Sequence, residues 1–262
     1  MFKTYNLYIF LFILNLISLG NSHAKNIECS ICSSNIKSKE YLIDIWGNPF
    51  HISHQKEGIF CECCSRIISK KITNGGYQLN DGRYICSLCD ASIIKNDDDI
   101  NNSFIKVQKK LYKEGLEIDN INNIEVKLIN RSEMKKYYNF NENNHLQGIT
   151  KISIGSDKIF KIFILNNTPK IQFEATLAHE LLHVWLYENN IKISDRKMEA
   201  FCNLGTYLMY EEDGTKFSKI HIMSLENKNK NMYVTEYKVL KSLMDKHSFR
   251  HILNNIKTIE IK

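Results

Sequence analysis

Four pairs of metal-ligand residues crowd into one short stretch: Cys29–Cys32, His51–His54, Cys61–Cys64 and Cys86–Cys89, each pair with two residues between its members. Such spacing makes a tight turn whose two side chains reach one tetrahedral ion. Eight ligands suffice for two ions. Taken in order, they give one site from Cys29, Cys32, His51 and His54 and a second from Cys61, Cys64, Cys86 and Cys89. Disulfides would leave the paired histidines without a role, and a redox Cys-x-x-Cys motif normally appears once, opening a helix. Cys63 could replace Cys61 or Cys64, or stay a free thiol, and Asp90 is a further candidate ligand. Tyr41–Trp46 reads as a strand, with turns at Gly47-Asn48, Gly75-Gly76 and Asp81-Gly82. A module this small buries too little apolar surface to stand alone, so two structural zinc ions would supply its folding energy.

The second constraint is Thr176-Leu-Ala-His-Glu-Leu-Leu-His-Val-Trp185, which contains His179-Glu180-x-x-His183. On a helix these three residues fall within an arc of about 100°. Gln172, Thr176, Tyr187 and Asn190 lie on or near that polar front, and Leu177, Ala178, Leu181, Val184 and Trp185 form an apolar back. Imidazoles one turn apart can converge on one ion, and the pattern is that of zinc-dependent peptidases.

A third ligand is then wanted, because a catalytic zinc keeps three protein ligands and one open position. Asn189-Asn190 can stop the first helix and Ser194-Asp195 start a second, which carries Glu199 sixteen positions beyond His183. A helix–turn–helix of that length can fold back and bring the Glu199 carboxylate to the ion. The alternative is an exposed first-turn glutamate favoured by the helix dipole. Asn203, one turn on, is a candidate to orient one of the histidines.

At 262 residues the chain has room for two moderate domains, and 43% hydrophobic with 24% charged residues is globular composition. Its net charge of +6 is scattered, which argues against a nucleic-acid surface. Residues 1–24 read as a signal peptide, with Lys3, an apolar run from Tyr8 to Leu19, and Ser22-His23-Ala24 before the cut. The chain is therefore expected to be exported, periplasmic or secreted, without a stable membrane span after cleavage. The organisation expected is α+β: a cysteine-rich module over 25–94, an acidic linker over 95–102, and a second domain over 103–262. In that domain Ser103 is expected to cap a helix, 123–130 to be a strand, and Ser132 to cap a short helix. Gly148–Ile154 and Lys158–Leu165 read as a hairpin, with 158–165 the candidate edge strand for an extended substrate.

The cysteine-rich part resembles a LIM domain, although a histidine stands at 54 where that pattern has cysteine. The whole chain from about residue 27 resembles the LIM-linked zinc peptidases first known as ubiquitin-activated regulators of plant organ size, and their shorter bacterial relatives. Leu177-Ala-His-Glu-Leu-Leu-His-Val-Trp-Leu186 and Met198-Glu-Ala-Phe-Cys202 carry the likeness, helped by Trp46-Gly-Asn and Asp81-Gly-Arg-Tyr-Ile-Cys86. It implies a LIM-like double zinc ribbon followed by a zincin-like peptidase domain with a small β-sheet and an HExxH helix. Glu199 matches the family's downstream glutamate. The plant members' ubiquitin-interacting helices have no counterpart in this sequence.

The chemistry this implies is hydrolysis of peptide bonds in protein substrates, with His179, His183 and Glu199 holding a catalytic zinc and Glu180 as general base. Tyr207, Tyr210, Tyr233, Tyr237 and His221 are candidate oxyanion donors. The competing expectation is a non-catalytic module that holds a protein partner through its LIM-like half; the intact Glu180 weighs against it. A thiol–disulfide protein would instead carry disulfides and no zinc. His247 and His251 form a further i, i+4 pair, read as surface or core because no glutamate lies between them.

Overall fold

The structure is a computed structural model that describes residues 18–21, 27–56, 58–119, 121–137, 146–154, 158–227 and 233–261. The chain is α+β with small sheets and divides into two compact units. One takes in the described residues up to Ile93 together with Asn167–Pro169; the other takes Ile94–Asn166 and Lys170 onward.

The first unit is built from short ribbons and turns. β1 (Ser18–Asn21), β2 (Glu40–Ile43) and β3 (Pro49–Phe50) form an antiparallel sheet in that order. The strand is shorter than the 41–46 expected because Asp44 turns the chain: its Oδ1 accepts from the backbone N–H of Trp46 and of Asn48. Ser69 caps a single turn, α1 (Lys70–Thr73). A hairpin follows, β4 (Gly76–Gln78) and β5 (Tyr84–Cys86), closed through Gly82 at φ +89°, and leads into α2 (Ser87–Asp90). One small apolar cluster joins Cys29, Ile36, Leu42, Phe50 and Ile67. Of the expected signal peptide, residues 1–17 and 22–24 lie outside the described residues, whereas 18–21 are β1, paired to β2. Among the described residues no helix is long and apolar enough to cross a membrane.

The second unit opens with α3 (Asp97–Lys113). The acidic stretch read as a linker over 95–102 is therefore largely helical. Asn96, not Ser103, is the cap, and Asp97, Asp98 and Asp99 fill the first turn, where the helix dipole favours negative charge. Ser103 is buried inside the helix. After β6 (Ile124–Ile129) comes α4 (Arg131–Lys136), capped by Asn130 in a reciprocal box with Glu133 rather than by Ser132.

β7 (Gly148–Ile154) and β8 (Lys158–Leu165) pair antiparallel, and β6 lies parallel to β8, so the sheet order is β6-β8-β7. Residues 158–165 are thus the central strand, and β6 and β7 are the edges. The side chains of β8 explain this. Phe160, Ile162 and Ile164 join the main core, while Phe163 and Leu165 join a second cluster with Ile129, Met134 and Ile149. A strand covered on both faces belongs in the middle of a sheet.

On the first of those faces lies α5 (Lys170–Glu188), and α6 (Asp195–Asp213) packs along α5. α7 (Lys216–Leu225), α8 (Val234–His247) and α9 (Phe249–Asn255) complete the unit. α5 is buried from Gln172 to Val184, polar front included. α5 and α6 approach closely at Gly205, where a Cβ would lie 3.0 Å from the Ala178 carbonyl oxygen.

Candidate metal centres

Among the described residues, three groups of side chains are positioned to hold metal ions. Cys29, Cys32, His51 and His54 form the first, at the surface of the cysteine-rich unit. Cys32 Sγ and His51 Nδ1 are 3.5 Å apart. Ideal tetrahedral zinc, from its usual bond lengths, sets sulfur and nitrogen about 3.6 Å apart. Backbone and side-chain hydrogen bonds, from Ser34 and His54, bring the Cys32 thiol down to about 6, towards the thiolate a metal needs.

The second group is Cys61, Cys64, Cys86 and Cys89, all buried. Cys64 Sγ and Cys86 Sγ stand 3.7 Å apart, against about 3.8 Å for two thiolates on one zinc. All eight cysteines are free thiols. Cys63 lies beside this group: its Sγ meets the Asn167 carbonyl oxygen at 3.6 Å and it also hydrogen-bonds Cys61 and Cys89. Asp90 accepts a 2.6 Å hydrogen bond from Tyr77.

The third centre joins α5 to α6. His179 Nε2 and His183 Nε2 face each other at 3.0 Å. Glu199 brings its oxygens to 3.4 Å from His179 Nε2 and 3.8 Å from His183 Nε2. A zinc ion with nitrogen and oxygen ligands wants separations of about 3.3 Å, so the three donors bracket one ion's position. Glu199 is 1% exposed, which removes the reading of an exposed first-turn glutamate. Cys202, one turn later, places its sulfur within 4.8 Å of both imidazoles. Burial, with the Glu199 and Glu180 charges beside it, pushes that thiol well up.

Electrostatics suit a cation. Burial pulls His179 down to about 3, with Asn203 beside it acting the other way, and pulls His183 well below its ordinary value. Neutral imidazole is the form that binds metal. Burial also lifts Glu180 to about 8, opposed by a hydrogen bond from Thr150. A divalent ion at the imidazoles would favour its ionised form.

The sequence reading missed two residues here. Thr150 Oγ1 donates to Glu180 Oε2 at 2.6 Å. Gly148, two residues earlier on the same face of β7, leaves the room that Glu180 occupies: a Cβ there would fall on Glu180 Oε1 and lie 2.7 Å from Thr176 Cγ2. Glu180 Oε1 has no hydrogen-bond partner among the described residues. Both residues lie in the recognised hairpin, but only its register shows that 148 and 150 face α5.

Of the candidate oxyanion donors, Tyr210 and His221 stack in the core with ring centres 4.8 Å apart, Tyr237 is buried, and Tyr207 donates to Glu211 on the surface. None of the five lines the cavity beside His183; Tyr187 does. His247 and His251 fall on different helices, because Ser248 at φ +108° separates α8 from α9. No family model matches this chain, and neither do curated proteins or solved structures.

Proposed function

We propose that the chain is a zinc-dependent peptidase that hydrolyses peptide bonds in protein substrates. The convergence of His179, His183 and Glu199 on one buried point, with Glu180 beside it, carries this reading. The resemblance to LIM-linked zinc peptidases supports it, and with it a zincin-like second half and a LIM-like first half. His179, His183 and Glu199 would hold the catalytic ion; the two cysteine-containing groups would hold structural ones. When bound, zinc supplies Lewis acidity that polarises a carbonyl and makes water a better nucleophile.

The remaining work falls to the chain's own side chains. Thr150 fixes Glu180 through Oε2, which leaves Oε1 to take a proton from the attacking water and hand it to the leaving amine. Asn203 orients His179. β7 takes over the role first given to 158–165: its outer edge, unpaired among the described residues, offers backbone groups to an extended peptide, whatever that peptide's sequence. The leader read over 1–24 would make the protein an exported one, its cleavage removing β1 from the first sheet, and the LIM-like half would offer a surface for a protein partner.

The test is turnover of unfolded casein by the zinc-loaded chain, with and without phenanthroline. Glu180→Ala should keep its zinc and lose cleavage. A variant that still cleaves at the wild-type rate sinks the role given to Glu180, and cleavage indifferent to the chelator sinks the metal mechanism.

A further inference from the structure

The active helix does not end at its metal ligands. One turn beyond His183, Leu186 and Tyr187 continue along α5, which stops at Asn190 in the left-handed conformation (φ 50°). The chain then turns back, with the Ile191 N–H donating to the Leu186 carbonyl, and runs on through Ile193 to the start of α6. Between this loop, α5, α6 and β7 lies a cavity of about 310 Å³.

Its walls are Ile152, Leu186, Tyr187, Ile191, Ile193 and Met198, with Thr150 and His183 on the side of the metal centre. The polar residues Asn190, Lys192 and Asp195 are exposed and belong to the mouth. Ile191, Ile193, Met198 and Tyr187 are only partly buried, so their apolar surface is not consumed by the core.

From this we infer that the cavity is a specificity pocket, which selects a large aliphatic or aromatic side chain on one of the two residues flanking the scissile bond. The inference rests on the peptidase reading and adds the substrate class. His183 sets the position: a group lying against it is next to the bond being cut. Thr150 and Ile152 share one face of the edge strand that would pair with the peptide backbone, so the peptide's side chain is delivered where the wall begins. The volume lies at the lower end of the range for ligand pockets and suits one large side chain better than an extended ligand. Lining chemistry excludes a carboxylate or ammonium, which would be buried without a fixed partner. The opposite charges at the mouth, Lys192 and Asp195, favour neither sign.

Burial of a leucine- or phenylalanine-sized side chain should raise kcat/KM about 10- to 100-fold over alanine at that position. The experiment incubates the zinc-loaded full chain with tryptic peptides of a denatured proteome and reads the new termini by mass spectrometry. Leu, Ile, Met and Phe should be enriched at one position flanking the cut. Ile193→Trp, which fills the pocket, should shift that preference to Ala and Gly; Ile193→Ala, which enlarges it, should shift it to the largest aromatics. Zinc content and thermal melts show that each variant is folded. Cleavage without a side-chain preference, or a preference that neither variant moves, overturns the pocket and leaves the peptidase reading standing. No cleavage by the zinc-loaded wild type overturns both.

Discussion

Thr150 Oγ1 reaches from the edge strand to Glu180 Oε2 at 2.6 Å, and so a hydroxyl thirty residues upstream positions the carboxylate proposed as the general base. Replacing Thr150 by Val keeps the shape and removes the donor. Stability should fall by about 1–3 kcal/mol, since a buried carboxylate oxygen loses its partner. Peptide turnover should fall at least about 10-fold with zinc content unchanged. Thr150→Ser, which restores the hydroxyl, should recover most of the rate. Equal rates for Val and Ser variants would mean that the bond does not position Glu180.

Gly148 should tolerate no side chain. Its Cβ would meet both Glu180 and Thr176, two buried residues on one helix face that cannot both retreat. Overpacking of this kind costs about 1–3 kcal/mol. Gly148→Ala should therefore lower the melting temperature and abolish turnover together, as followed by calorimetry and a casein assay.

In protein stripped of its labile ion, with the cysteine sites still loaded, Glu180 makes stability depend on pH. Burial raises its pKa from 4.5 to about 8. Across that window the folded chain keeps a proton that the unfolded chain has lost. The contribution is therefore fully present below pH 4.5 and is lost as pH rises through about 8. Glu180→Gln cannot titrate, while the buried histidines are common to both proteins. The stability difference should move in the variant's favour as pH rises, by up to about 1.4 kcal/mol per pH unit. Denaturant titrations at pH 5 and pH 8 measure it, and a constant difference would contradict the burial argument.

Metal counting separates the donors. Elemental analysis should find three zinc ions per wild-type chain and two in His179→Ala. Glu199→Ala should weaken the third site by a factor of ten or more, whereas Cys202→Ser should leave its affinity nearly unchanged. A large loss with Cys202→Ser alone would move the ligand role to the thiol.

Spacing along the chain was enough to group Cys29, Cys32, His51 and His54, and Cys61, Cys64, Cys86 and Cys89, because ligands two residues apart share a turn whatever surrounds them. The hairpin of Gly148–Ile154 with Lys158–Leu165 was also legible, residue for residue, from apolar runs around a turn. Strand order was not: periodicity describes one strand and its faces, whereas the centre of a sheet goes to the strand that other elements cover on both sides. Helix caps misled at Ser103 and Ser132 because several residues near each boundary can cap, and packing chooses among them.

Residue type and spacing alone show which residues can bind metal and that His179 and His183 share a helix face. A helical period of 3.6 residues is local and needs no partner. It takes the packed fold to turn Glu199 towards those imidazoles, to frame Glu180 with Thr150 and Gly148, and to open a cavity beside His183. These depend on how closely α5, α6 and β7 approach, a distance set by the side chains packed between them.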